Sequence, residues 1–103
     1  MGDLNFQEFS PVQTIGQLGV RTIPSASTIA PTTLVTIVTG TTQIVTITPP
    51  VSGAHVLYLI FPDAMGVFAT SGNIINAVDP GVNLPVTMVY NPYTGKYHAG
   101  PIS

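Results

Sequence analysis

The stretch Thr32-Thr-Leu-Val-Thr-Ile-Val-Thr-Gly-Thr-Thr-Gln-Ile-Val-Thr-Ile-Thr-Pro-Pro50 decides the fold class. It is two runs of Val, Ile and Thr, separated by Gly40-Thr41-Thr42 and closed by Pro49-Pro50. These β-branched residues are stiff at χ1 and suit a pleated, half-buried surface. In the first run Val35 and Ile37 share one face. Leu34, Thr36 and Val38 share the other, so both faces carry apolar groups and the strand is expected to be well covered. In the second run Val45 and Ile47 face one way and Ile44, Thr46 and Thr48 the other. Gly40 is free to take a positive φ, which makes Gly40-Thr41-Thr42 a short hairpin connection on this reading. Neither Pro49 nor Pro50 can donate to a ladder, so the second run ends there.

Working outward, His55 to Phe61 reads as a third strand and a central one. Leu57, Leu59 and Phe61 alternate with Val56, Tyr58 and Ile60. Pro62-Asp63 stops it. Met65 to Ala69 is a short apolar piece, and Thr70-Ser71-Gly72-Asn73 is a turn. Ile74 to Val78 is expected as a fourth strand, Asp79-Pro80-Gly81 as a turn, and Leu84 to Tyr90 as a fifth strand. Asn91 to Gly95 forms the last turn and Lys96 to Ala99 a short return strand. No stretch sustains a helical period. Short strands with turn signals every 8 to 12 residues point to an all-β domain over residues 32–103. The expected form is an antiparallel β-sandwich, jelly-roll-like, or a small barrel.

Residues 1–31 read as an extended N-terminal arm. Phe6, Phe9, Val12, Ile15 and Leu18 recur every three residues, but Pro11, Gly16 and Gly19 argue against a helix. Pro24 and Pro31 keep the chain extended around a linker-like Ser25-Ala26-Ser27-Thr28. The arm either docks on a neighbouring subunit or folds back as an edge strand of its own domain.

Composition narrows the function. Charged residues make up only 6% of the chain, against about 25% in typical globular proteins, and the mean hydropathy is +0.46. Surface charge is what usually keeps copies of a soluble protein apart, so this chain is expected to live in an oligomer or a lattice. Its two cations, Arg21 and Lys96, are too few to neutralise a phosphate backbone or to hold an anionic membrane surface. No apolar run approaches the roughly 20 residues of a membrane helix. No signal peptide is read at the start, and Phe6 stands where a myristoylation motif wants Ser or Thr. Cysteine is absent, which removes disulfides, thiolate chemistry and Cys-based zinc sites.

Little else suggests chemistry. Ser71, His98 and Asp79 could be written as a triad, but no nucleophile-elbow pattern surrounds any serine. Asp63 and Asp79 could be written as a glycosidase pair, yet both stand beside proline in turns, where aspartate commonly bonds to nearby amides. His55 and His98 make no metal site without further ligands. No enzyme, metal or cofactor is therefore expected. Tyr90, Tyr93 and Tyr97 form the one aromatic cluster. They are candidates for a ligand or subunit contact, weighed against packing at the end of the sheet.

Several stretches taken in order resemble a known family. They are Ile29-Ala30-Pro31, Val38 to Pro50, Tyr58-Leu59-Ile60-Phe61, Thr70-Ser71-Gly72-Asn73-Ile74, Met88-Val89-Tyr90 and Gly95-Lys96-Tyr97-His98. The chain is similar over about residues 29–98 to a small β-domain of tailed-bacteriophage structural proteins, found in head decoration proteins and in tail or fibre components. The family's closing Asp-Gly turn and Trp-Tyr pair are replaced here by Asn91 to Gly95 and Tyr97-His98. The resemblance implies a virion structural protein without catalytic residues. With only about 30 residues ahead of the domain there is no room for a fibre shaft, which favours a capsid decoration (cement) protein on the capsid exterior. Its expected partners are the major capsid protein and its own copies, as a trimer or dimer, with no nucleic acid and no membrane. The capsid-contact arm would use Phe6, Phe9, Val12, Ile15 and Leu18. The alternative is a tail or fibre accessory module that binds a host-surface glycan through Tyr90, Tyr93 and Tyr97.

Overall fold

The computed structural model describes residues 17–100, with side chains from residue 19 onward. Its regular elements are all strands. They are β1 (Gln17–Pro24), β2 (Thr28–Ile29), β3 (Thr33–Thr39), β4 (Thr46–Ile47), β5 (His55–Ile60), β6 (Val86–Asn91) and β7 (Lys96–Ala99). A five-stranded sheet runs in the order β1-β3-β5-β6-β7, and β2 and β4 form a second, two-stranded sheet. The main sheet is open, with β1 and β7 at its edges.

The expected all-β character is present, but the pairing is mixed where an antiparallel fold was expected. β3 lies parallel to β1 on one edge and parallel to β5 on the other. β5–β6 and β6–β7 are antiparallel. Parallel neighbours cannot be joined by a tight turn and need a crossover. Here each crossover passes through the small sheet. The chain leaves β1, forms β2, and returns as β3; it leaves β3, forms β4, and returns as β5. β2 and β4 pair in parallel, with Ile29 opposite Ile47.

The expected β3–β4 hairpin is therefore corrected. Both edges of β3 are occupied, so the second run has no edge left to join. Gly40 does take a positive φ of 88°, but its amide donates to Asp63 Oδ2 at 2.7 Å, and the Thr42 amide donates to Ser25 Oγ at 3.0 Å. The amides of Val45 and Thr46 both donate to the Ser27 carbonyl, and Thr48 N–H donates to Ile29 O. Backbone groups that a hairpin would have used for β3 go to β2 and its approach. The expected strand over Ile74 to Val78 is also corrected; only one bridge, between Ile74 and Tyr97, forms there.

One face of the main sheet packs on the core. Val38, Leu57, Leu59, Val86, Met88, Tyr97 and Ala99 are buried on it. Ile29 and Ile47 from the small sheet, with Ile44, Phe61, Met65, Phe68 and Ile74, close the same core from the other side. Thr36 sits among them fully buried, and its hydroxyl has no hydrogen-bond partner among the described residues.

The segment 72–76 ties the two sheets together. Gly72 is packed so tightly that an added Cβ would collide with the Val45 carbonyl and with Thr46 Oγ1. Asn73 Oδ1 accepts from Ile47 N–H at 2.8 Å, and Asn73 Nδ2 donates to Ile47 O at 2.7 Å. Asn76 repeats the device on β7, accepting from Ala99 N–H at 2.8 Å and donating to Ala99 O at 2.6 Å. Between them Tyr97 N–H donates to Asn73 O and Ile75 N–H to Tyr97 O. Each asparagine amide thus replaces one residue of a missing neighbouring strand.

Two stability changes of opposite sign are expected in urea unfolding. Thr36→Val removes an unpaired buried hydroxyl and should raise stability by about 1 kcal/mol. Asn73→Ala strands both the amide and the carbonyl of Ile47 and should cost about 2–4 kcal/mol.

Candidate functional site

The structure divides the sequence-read candidates. Phe6, Phe9, Val12 and Ile15 lie outside the described residues. Leu18 falls in β1, with its side chain outside them as well. Residues 17–31, read as the second half of the arm, supply β1, β2 and the buried Pro31. β1 takes an edge position beside β3.

The three tyrosines do not share a face. Tyr97 is fully buried, Tyr90 is half-buried, and Tyr93 is 98% exposed at the tip of the β6–β7 hairpin. That hairpin forms where the sequence placed it. Asn91 Oδ1 accepts from Tyr93 N–H at 2.9 Å, Gly95 N–H donates to Asn91 O at 2.9 Å, and Gly95 takes a φ of 70°. The turn holds Tyr93 outward and returns Tyr97 to the core face opposite Tyr90.

Tyr90 and Tyr97 gather around His55, a residue for which the sequence alone suggests a solvated or locally hydrogen-bonded imidazole at the opening of a strand. His55 is buried at the start of β5, directly across from Tyr90 in the ladder. The two rings stack with centroids 4.9 Å apart, and Tyr97 meets the imidazole edge-on at 5.5 Å. His55 Nδ1 lies 2.7 Å from Gly53 O, and Nε2 lies 2.7 Å from the Tyr97 hydroxyl. A carbonyl only accepts, so Nδ1 carries the hydrogen; in the neutral ring Nε2 then accepts from Tyr97. Burial, with a smaller contribution from Tyr90, holds the Tyr97 hydroxyl well above the ordinary tyrosine value of about 10. The phenol stays protonated across the physiological range. A signal for this cluster was present in the strand periodicity: His55, Leu57, Leu59 and Phe61 alternate on one face.

The carboxylates in the described region also hold backbone. Asp63 accepts from Gly40 N–H at 2.7 Å, and Asp79 accepts from Gly81 N–H at 3.2 Å within its own turn. Among the described residues, no group of three or more His, Asp or Glu converges on a metal-binding geometry. His98 is exposed on β7, beside Val89 on the face of the sheet turned away from the core.

Comparison with family models, curated proteins and solved structures finds no match.

The cluster makes a pH prediction with a definite sign. A tyrosine whose value is raised on folding contributes stability that is intact below about pH 10 and is lost as pH rises from there toward the raised folded value. Ultraviolet titration of the folded protein should show a tyrosine that resists ionisation above the ordinary phenol range. Tyr97→Phe should remove that late step and cost about 1–3 kcal/mol by leaving the His55 ring nitrogen unpaired. Tyr93→Ala should change stability by less than about 0.5 kcal/mol.

Proposed function

We propose that the chain is a virion structural protein, a capsid decoration (cement) protein that binds the outside of a phage head lattice where capsomers meet. The observation that carries the structural part of this reading is how the polar side chains are employed. His55, Asp63, Asn73, Asn76, Asp79 and Asn91 each hydrogen-bond a backbone group of the chain itself. Three of the groups that could do acid–base chemistry, His55, Asp63 and Asp79, are thereby engaged in holding the fold. The 6% charged content favours a subunit in permanent contact with others. The resemblance of residues 29–98 to head decoration domains supplies the phage head and the major capsid protein as partner.

In this proposal the β-domain associates with its own copies, and the arm seats Phe6, Phe9, Val12, Ile15 and Leu18 in grooves of the shell. β1 would then be the anchor from which the preceding residues reach outward. Burying each large apolar side chain is worth about 1.5–3 kcal/mol before ordering costs. Repeated over many lattice sites, such contacts would oppose rupture by internal pressure. A glycan-binding module, by contrast, would have to rely on Tyr93 alone, since Tyr90 and Tyr97 are engaged with His55.

The test is a binding assay with expanded, undecorated heads and the full-length chain. Phe6→Asp combined with Phe9→Asp should abolish co-sedimentation with heads while the far-ultraviolet spectrum stays unchanged. Undiminished binding by the double variant would rule out docking through the arm.

A further inference from the structure

We infer that the face of the main sheet turned away from the core is a self-association surface, on which a second copy of this chain packs face to face about a two-fold axis. This deepens the reading of the chain as an assembly subunit and rests on it for its biological setting.

The ladder defines that face. Val20, Val35, Tyr58 and Thr87 line up across β1, β3, β5 and β6. Thr22, Ile37 and Ile60 form the row on one side of them, and Val56, Val89 and His98 the row on the other. Val20 is 60% exposed, Val89 43% and Tyr58 37%, while Val35, Ile37, Val56 and Ile60 are half-buried among them. None of the three rows contains a carboxylate, and His98 lies at the β7 end. Other exposed apolar residues, Val67, Ile75, Val82 and Leu84, lie in connecting segments outside the sheet's ladder.

Two arguments favour a second copy. Strands in parallel arrays occur almost only in sheets covered on both faces, and their sequences run apolar without alternation. β3 and β5 have that character, Leu34-Val-Thr-Ile-Val38 and Val56-Leu-Tyr-Leu-Ile60, yet the small sheet covers one face only. The second argument is size and self-complementarity. Five strands about 4.8 Å apart, over about five residues of about 3.3 Å, make a face of roughly 24 by 17 Å. Two such faces brought together bury on the order of 800 Å², below the roughly 1,000 Å² of a tight interface and in the range of a weak, reversible pair. The three rows carry no carboxylate, and the one lysine on this face, Lys96, sits at the β7 edge away from Tyr58, so the centre opposes its own image without like-charge repulsion. Equal twists let two such sheets stack at about −30°, as in a β-sandwich. β5 is the middle strand and Tyr58 lies in the middle row, so Tyr58 meets its own mate near the axis.

The absence of cysteine makes the test clean. Full-length protein at 50 µM is expected to sediment at twice the 10.7 kDa chain mass. Tyr58→Lys and, independently, Val89→Lys should each weaken dimerisation at least tenfold with an unchanged β spectrum. Tyr58→Cys should be linked into dimers by a short bis-maleimide, while Tyr93→Cys on the exposed hairpin should not. A monomer at this concentration, a face shielded from maleimide by the chain's own first 16 residues, or an oligomer indifferent to both lysine substitutions would overturn the proposal. Head binding assayed in parallel separates the two readings. A monomer that still binds heads ends the pairing alone, and a dimer that binds no head ends the decoration reading alone.

Discussion

β3 has a parallel partner on each edge, and the rest of the structure follows from that constraint. A strand flanked on both sides leaves its own continuation nowhere to pair. The chain must leave the sheet after Thr39 and come back one strand further on. Two such departures place β2 and β4 on the same side of the sheet. There they satisfy each other's backbone and drop Ile29 and Ile47 into one core with Leu57 and Leu59. Where larger folds make this crossover with a helix, each crossover here contains a two-residue strand. So short a sheet cannot be stable alone, which is why side chains from elsewhere complete it.

That completion explains the otherwise irregular segment between Phe68 and Val86. Gly72 lies against β4 because no side chain fits there. Asn73 then presents an amide to Ile47 as a strand would, and Asn76 does the same for Ala99. A side-chain amide carries one donor and one acceptor in a peptide-like arrangement, so it can end a sheet without exposing another edge. The small sheet is thus bolted to the far edge of the main one through residues 73–76.

Much of this was legible in the sequence where the signal was local. The alternation of β5, the return strand Lys96 to Ala99 and the Asn91 to Gly95 turn all emerged as read, since strand period and turn chemistry are properties of a few neighbouring residues. The β3–β4 relation was not legible. Gly40 has the positive φ that a hairpin needs, but the same freedom serves a chain that turns out of the sheet, and the choice is made by Asp63 and Ser25 from distant segments. Asn73 read as a turn residue and Asn76 as part of a strand for the same reason: their partners lie 26 and 23 residues away. For His55 the local hydrogen bond, to Gly53, was within reach of the sequence, but its burial was not, because the partner that covers it, Tyr97, lies 42 residues on.

The two faces of the main sheet pose the remaining physical question. The core face includes buried polar groups, Thr36 and His55, while the outer face is built mainly from Val, Ile, Tyr and Thr, with His98 and Lys96 at its β7 edge. A sheet meant to stand in water would reverse this, setting charges on its outer positions and keeping its core dry of hydroxyls. Here the chain has few charges to place, and Asp63, Asn73, Asn76, Asp79 and Asn91 are occupied with backbone. Such a surface is tolerated only if something other than water meets it. Low charge, a parallel-type strand composition and an apolar face that no described residue covers are the three features that the proposed self-association would bring together.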